Sequence, residues 1–448
     1  MSGVESQIAE WRAYVAKAPA VDQRDVEELE AHLRDEIAEL DAAGLTDDEA
    51  FLIAVKRMGD IDTLSREFAR EHRGRLWKQL VLSGEDESPR LFAGWFEAFV
   101  FALAAAVAVE LVHLVIEITG DSDPDWLARN AGFLVLPFLA AYFARRRHLD
   151  TRRWLLAAAP FAGFALLVNL YPFGSDSDTE VIVAVALPVA LWFAVAYPYM
   201  SGTIRFHERR MDFVRFTGEW IIYYVLIAIG GGVLVALTGL VLEPISHDLP
   251  ELVAEWVLPA GAAGAVIVAA WLVESKQQVV ENMAPVLTML FTPLFAVMLS
   301  VAAVAYAVAG LGGAFDRELL GTFDALLVVV LGLVLYAMSA RDPFRPAGVA
   351  DGVQLVAVAS ALVLDVMVLG SMLARIGDLG FTPNRTVALS LNLVLLVNLA
   401  WAARLSFQFL RRRVTFHRLE RWQTSYLPVF ALWTALVVVA LPPLFGFD

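Results

Sequence analysis

Residues 91–117 read LFAGWFEAFVFALAAAVAVELVHLVIE, and after one further apolar run residues 144–153 read ARRRHLDTRR. About 20 apolar residues, rising 1.5 Å each, cross the hydrocarbon core of a bilayer as a helix. Arginine clusters beside such spans stay on the cytoplasmic side. The same alternation continues to the end of the chain. Hydropathy gives eleven spans: 91–117, 126–143, 154–171, 181–200, 220–242, 253–273, 285–309, 323–339, 353–374, 387–407 and 426–445.

The cations set the orientation. The chain holds 34 Lys and Arg, of which 12 precede residue 91, leaving 22. Four of these, Arg129, Arg317, Arg375 and Arg385, fall on one side of the ladder. The other 18 fall in the loops 144–153, 201–219, 274–284, 340–352 and 408–425, or beside them at Arg404. By the positive-inside rule that richer side is cytoplasmic. An odd number of spans then places Asp448 outside. The opposite loops are acidic, with Asp121, Asp123, Asp125, Asp176, Asp178 and Glu180. Trp126, Trp154, Tyr171, Trp220, Trp256 and Tyr426 fall near span ends, as an interfacial aromatic belt does.

Composition agrees. The chain is 58% hydrophobic, against about 45–50% for a soluble domain. The excess lies after residue 90. Residues 1–90 carry 21 acidic and 12 basic side chains, a net charge of −9, and read as a small soluble head over 1–82 with a linker at 83–90. That acidity argues against nucleic acid as a direct partner, since phosphate contacts need clustered cations. The absence of cysteine excludes disulfides, thiolate catalysis, iron–sulfur clusters and cysteine-based zinc sites. Met1 to Ala20 contains no apolar signal segment, so the N-terminus is expected to stay in the cytoplasm.

The head reads as four helices. Ile8, Trp11 and Val15 form one stripe; Val26, Leu29, Leu33, Ile37 and Leu40 form another at three- and four-residue steps. Gly44 ends the second helix, and Thr46 with Glu49 is a capping box opening the third. The fourth helix follows Gly59 and continues into Arg66, Arg70, Arg73, Arg75 and Lys78, a cluster suited to anionic lipid headgroups. His32 sits among acids, as a surface histidine or a pH sensor.

The string VEELEAHLRDEIAELDAAGLTDDEAFLIAVKRMGD, Val26 to Asp60, resembles the permease prefix domain and the related helical signalling prefix of bacterial membrane proteins. The matching positions are Glu28-Leu29-Glu30, His32-Leu33, Gly44-Leu45, Glu49-Ala50 and Gly59-Asp60. The resemblance implies a docking or regulatory module over residues 5–75 that meets a cytosolic protein partner. It also implies a bacterial cytoplasmic membrane. A second string, ARIGDLGFTPNRTVALSLNLVLLVNLAW from Ala374 to Trp401, resembles a polytopic family known only as a domain of unknown function, of the four-one-five-three type. The shared residues are Arg375-Ile376, Gly380, Thr382, Asn384 and Arg385; the family carries a tyrosine where this chain has Leu379. This resemblance implies a shared membrane fold. The segment itself reads as an outer hairpin, with Gly380 allowing the turn and Asn384-Arg385 at the mouth of the tenth span.

Ionisable groups inside apolar spans cost about 2.5–3.5 kcal/mol to insert, so they usually serve a purpose. Glu110, His113 and Glu117 share one face of the first span at i, i+3 and i+7. They read either as a proton relay or cation site, or as interhelical glue, with Arg129 as a further partner. Asp365 in the ninth span reads as part of a transport path, as a protonated group bonded to a neighbouring helix, or as a group paired with Arg375 or Arg385. Asn392 and Asn398 lie in the tenth span. Gly230-Gly231-Gly232 in the fifth span, Pro188 and Pro293 suggest either broken helices or close helix packing. Phe206-His207 with Arg209-Arg210, and Phe416-His417 with Arg418 and Arg421, read either as a repeat or as two basic interfacial linkers that look alike by chance.

The chain contains no Walker loop, nucleophile elbow, HExxH or Rossmann fingerprint. No catalytic residue, metal ligand set or cofactor is assigned. The expected fold is an all-α polytopic bundle of about eleven helices over 91–448 behind a cytosolic helical head. The expected function is that of a transporter-like or channel-like protein regulated or positioned by the head, with Glu110, His113, Glu117 and Asp365 along the path. The alternative is a membrane-anchored signalling or scaffold protein whose head docks a cytosolic partner.

Overall fold

The computed structural model describes residues 94–120, 124–174, 177–242, 248–275, 283–309, 317–341 and 345–448. In the N-terminal region it describes Ile8, Glu30, Ala31, Leu33, Arg34, Ile37, Leu40, Ala50 and Ala54. The chain divides into two compact units, Met1–Ser88 and Pro89–Asp448.

In the first unit all nine described residues are helical. Ile8, Leu33, Leu40, Ala50 and Ala54 are buried. Leu33 and Leu40 are seven residues apart and therefore share a helix face, while Glu30 and Arg34 pair on its exposed side at 3.0 Å. His32, the capping box at Thr46 and Glu49, the cationic run from Arg66 to Lys78 and the linker at 83–90 lie outside the described residues.

Among the described residues the second unit contains eleven helices: α1 (Trp95–Thr119), α2 (Pro124–Arg146), α3 (Thr151–Leu170), α4 (Asp178–Tyr199), α5 (His207–Leu242), α6 (Asp248–Ser275), α7 (Met283–Ala309), α8 (Arg317–Ser339), α9 (Val349–Leu379), α10 (Pro383–Leu410) and α11 (Phe416–Leu444). Every one is long and apolar enough to cross a membrane, so this is a membrane protein. No strand occurs among the described residues. In lipid each backbone N–H and C=O needs an internal partner, and a helix supplies one for every residue.

Several helices outrun the spans marked by hydropathy. α5 begins at His207 rather than near 220, so Arg209, Arg210 and Arg215 lie on the helix and not in a loop. α11 begins at Phe416, ten residues or about 15 Å before Tyr426. Trp220 and Tyr426 are therefore interior to their helices. Trp220 donates to Val266 O of α6 at 2.9 Å, and Tyr426 donates to Val394 O of α10 at 2.9 Å. Hydropathy detects the width of the hydrocarbon, whereas backbone hydrogen bonding carries the helix beyond it.

Two apolar cores hold the bundle. One collects residues of α1–α6, among them Tyr142, Phe143, Leu187, Leu191, Phe216 and Ile267. The other collects residues of α7–α10, among them Leu299, Leu327, Leu364, Leu395 and Leu399. α11 serves both: Phe416, Leu419, Tyr426 and Phe430 enter the second core, while Val437, Val438 and Leu441 enter the first. The buried residues of α1 are alanines, Ala98, Ala102 and Ala105, with Phe101 and Val109 packed partly buried against the core. The alanines let α1 approach α6 closely, where Gly264 faces Ala102.

The glycine run of α5 neither breaks the helix nor packs a neighbour. α5 is continuous through Gly230, Gly231 and Gly232, and none of the described residues lies within 4 Å of the Cβ position of any of them. Ile229, Val233, Leu234 and Leu237 beside them are exposed, as lipid-facing side chains are. Losing helical hydrogen bonds in hydrocarbon costs more than glycine's flexibility gains. α4 and α7 also run through Pro188 and Pro293.

The ends of the bundle differ chemically. At the arginine-rich end, Glu274 of α6 is buried between Arg146 Nε at 2.5 Å and Arg147 Nη2 at 2.6 Å. Arg341 pairs with Asp351 at 2.8 Å and lies over the rings of Phe409 and Phe416. The two basic segments singled out as a repeat both open helices there and meet: His207 Nδ1 lies 3.1 Å from Thr424 Oγ1, and Arg210 donates to Thr424 O at 3.1 Å. At the opposite end the last residues are tied to the α3–α4 turn. Ser177 Oγ donates to Phe447 O at 2.9 Å, and Thr179 N donates to Asp448 O at 3.0 Å.

Candidate functional site

The hairpin between α9 and α10 builds the candidate site. Gly380, at φ 76°, ends α9 and donates its N–H to Ile376 O at 2.8 Å. Glycine takes that left-handed conformation without a Cβ penalty. Thr382 caps α10, its hydroxyl accepting from Arg385 N at 3.4 Å, and Pro383 follows at the first helical position. Arg385 reaches back, and its Nη1 donates to Leu379 O at 3.1 Å and Gly380 O at 2.8 Å. These carbonyls have no partner within α9, so the guanidinium satisfies the end of one helix from the start of the next.

Around this hairpin lies a cavity of about 400 Å³, opening at the arginine-poor end. Arg375, Thr382, Asn384 and Arg385 line it, joined by Asp324 and Gly321 of α8 and Asp178 and Ile182 of α4. Met372, Val387, Ala388 and Leu391 supply apolar wall. The hairpin residues picked out from sequence therefore converge, with Gly380 making the turn that aims them.

Asp324 connects the cavity to the interior. Its Oδ1 accepts from Asn392 Nδ2 at 2.7 Å, and Asn392, 0% exposed, also donates to Ala388 O at 2.9 Å. Beside it on α9 lies Asp365, also 0% exposed, within electrostatic reach of Asp324. Neither carboxyl oxygen of Asp365 has a hydrogen-bond partner among the described residues. The suggested pairing of Asp365 with Arg375 or Arg385 does not form. Asp365 lies about 10 residues, or 15 Å of helix, below Arg375, and Arg385 is engaged with the α9 carbonyls instead. An enclosed carboxyl without a donor costs free energy that packing alone does not return.

Glu110 and His113 lie elsewhere. His113 Nε2 is 3.3 Å from Glu255 Oε1 of α6, its Nδ1 is 3.8 Å from Glu110, and its ring lies 4.5 Å from that of Trp256. Both carboxyl oxygens of Glu110 lack a hydrogen-bond partner among the described residues. Glu117 is exposed near the end of α1. Arg129 is not their partner; it pairs with Glu180 and sits over the Phe173 ring. These residues belong to the α1–α6 core, while Asp365 belongs to the α7–α10 core. One face of one helix was correctly read, but helix pairing sends it to another part of the molecule.

Sequence reading passed over Asp324, Glu274 and Gln423, and took Asp178 only as an outer-loop acid. Asp324 and Asp178 complete the cavity, Glu274 anchors the arginine-rich end, and Gln423 accepts from Asn398 at 3.0 Å. Asp324 and Glu274 stand at span edges, where an acid looks interfacial. A second cavity, about 390 Å³, lies at the arginine-rich end among Arg147, Arg209, Arg215, Asp212, Glu219 and Tyr199. Its arginines are engaged: Arg147 with Glu274, Arg209 with Met200 O at 2.8 Å, and Arg215 with Ser339 O at 3.1 Å. No group of three His, Cys, Asp or Glu suited to a metal ion occurs among the described residues.

Comparison with known proteins returned no matching family model, no matching curated protein and no matching solved structure.

Proposed function

We propose that this chain is a transporter-like or channel-like membrane protein whose path runs from the α8–α9–α10 cavity past Asp324 to Asp365. The observation that carries this reading is Asp365: fully enclosed, without a donor to either oxygen among the described residues, and within electrostatic reach of a second carboxyl that lines a cavity. Ionisable groups so placed in a membrane bundle commonly mark ion and substrate routes. A carboxyl held ready for a proton or small cation also explains why no donor meets it among the described residues.

In this reading the arginine-rich end faces the cytoplasm of a bacterial cell, and the hairpin cavity faces outward. The N-terminal unit, by its resemblance to permease prefixes, regulates or positions the bundle through a cytosolic partner. Glu110, His113 and Glu255 join α1 to α6 and stand off the path.

Purified protein in liposomes with an internal pH dye tests the proposal. Under an imposed potential, wild-type protein is expected to pass protons or a coupled solute, and Asp365→Asn to lose most of that flux. Equal flux from wild-type, Asp365→Asn and protein-free liposomes would end it.

A further inference from the structure

The cavity at the arginine-rich end draws its charges from Arg147, just past α2, and from the first turns of α5. Two of its three guanidiniums are held by neutral groups. Arg209 donates through Nη1 to Met200 O at 2.8 Å and Thr203 Oγ1 at 2.9 Å. Arg215 donates through Nε and Nη2 to Ser339 O. Such bonds fix a side chain and leave its charge in place, and neither arginine forms an ion pair among the described residues. Arg147 shares Glu274 with Arg146, two guanidiniums on one carboxylate, and its Nε is buried without a hydrogen-bond partner among the described residues. Asp212, on which Arg215 and Arg147 act electrostatically, and Glu219 lie in the same wall. Arg146, Arg147, Arg209 and Arg215 thus stand against Glu274, Asp212 and Glu219, one positive charge in excess. Ser201 also lines the cavity, at φ 57°. That conformation costs a serine free energy and recurs at ligand sites, and the Ser201 hydroxyl makes no hydrogen bond among the described residues.

We propose that this cavity binds a phosphate group, carried by a phospholipid headgroup or by a soluble phosphate ester. The Nε and Nη2 of Arg209 form a planar fork suited to two phosphate oxygens. Nη1 of Arg215, Nε of Arg147 and the Ser201 hydroxyl supply further donors. A phosphodiester carries one negative charge, which matches the excess in the lining. Met200, Phe216 and Val273 give the same cavity apolar wall, on which the glycerol and first chain carbons of a lipid rest. Basic pockets between helices at the cytoplasmic face of a membrane take anionic headgroups in this manner. The phospholipid is therefore the favoured source. The site lies at the opposite end of the bundle from the hairpin cavity, and its occupancy does not depend on the transport reading.

The full chain, purified in a maltoside detergent, tests it by native mass spectrometry and thermal shift. The probes are phosphatidylglycerol, a diacylglycerol of the same chains without phosphate, and glycerol 1-phosphate without chains. Phosphatidylglycerol is expected to bind and raise Tm, less so as salt screens the arginines, and diacylglycerol to do neither. Glycerol 1-phosphate binding as tightly as the lipid would assign the site to a soluble ester and leave the phosphate contact standing. Arg209→Gln is expected to weaken binding about tenfold, as loss of a charged hydrogen-bond donor does. Asp212 makes no hydrogen bond or ion pair among the described residues and is exposed. Asp212→Asn is therefore expected to tighten binding severalfold, by removing a like charge from beside the phosphate, with Tm of the lipid-free protein unchanged. This second variant decides the matter even if Arg209→Gln fails to fold. The assignment is overturned if neither phosphate probe binds, if diacylglycerol binds as well as phosphatidylglycerol, or if Asp212→Asn leaves binding unchanged or weaker.

Discussion

Asp365 and Glu274 show two ways of burying a carboxyl. Glu274 is enclosed with two guanidiniums against it, and removing its charge leaves those cations facing one another. Breaking a fully buried pair costs about 3–5 kcal/mol. Arg146 and Arg147 keep about a third of their surface, so water takes up part of the loss, and Glu274→Gln is expected to cost about 1–3 kcal/mol. Thermal unfolding in detergent reads this as a clear fall in Tm. Asp365 has no hydrogen-bond partner to lose among the described residues. Asp365→Asn is therefore expected to leave Tm unchanged or raised while flux falls, as when strained functional groups are relaxed. A fall in Tm as large as that of Glu274→Gln would show that Asp365 is structural. The sequence marked Asp365 and passed over Glu274, because an acid at a span edge looks solvated until the fold closes over it.

Among the helical elements, the α9–α10 hairpin was the most legible. Its glycine, cap and proline stand in the order that ends one helix and starts another, and the structure uses them so. Thr382→Ala is expected to destabilise by about 1 kcal/mol through the lost cap. Gly380→Ala is expected to cost about 1–2 kcal/mol, since alanine at φ 76° crowds its own carbonyl. Both are measured by denaturation of the full chain, and no loss in either variant would mean the hairpin is held by other contacts. α5 was read less well. Its three glycines suggested a break or a packing seam, yet they face outward on an unbroken helix. Gly231→Leu is accordingly expected to be accepted with Tm unchanged or slightly higher, because leucine is the better helix former by about 0.8–1 kcal/mol. A marked loss of stability would reveal a partner covering that face.

For the molecule as a whole, topology is the property to test. The chain has no cysteine, so single cysteines report accessibility without background. Phe381→Cys lies at the exposed hairpin and Arg411→Cys at the exposed start of the α10–α11 turn. A membrane-impermeant maleimide applied to intact cells is expected to label Phe381→Cys at once and Arg411→Cys only after permeabilisation. The reverse pattern would invert the orientation and place the cavity in the cytoplasm. The odd number of helices then brings the last residues to the cavity-bearing end, where they bond to Ser177 and Thr179.

The sequence by itself determined the class, the eleven helices and the chemical difference between the two ends. Those follow from local rules: apolar length against bilayer thickness, and cations against a membrane they do not cross. It also marked Asp365 and the hairpin residues, because ionisable groups and turn residues stand out within any apolar run. Only the tertiary structure decided which of them share a site. Glu110 and His113 matched Asp365 in every local respect, yet α1 packs on α6 and α9 on α7, α8 and α10. Helix pairing in lipid depends on shape and small-residue contacts summed along whole faces, and no single span records which face its neighbour will meet.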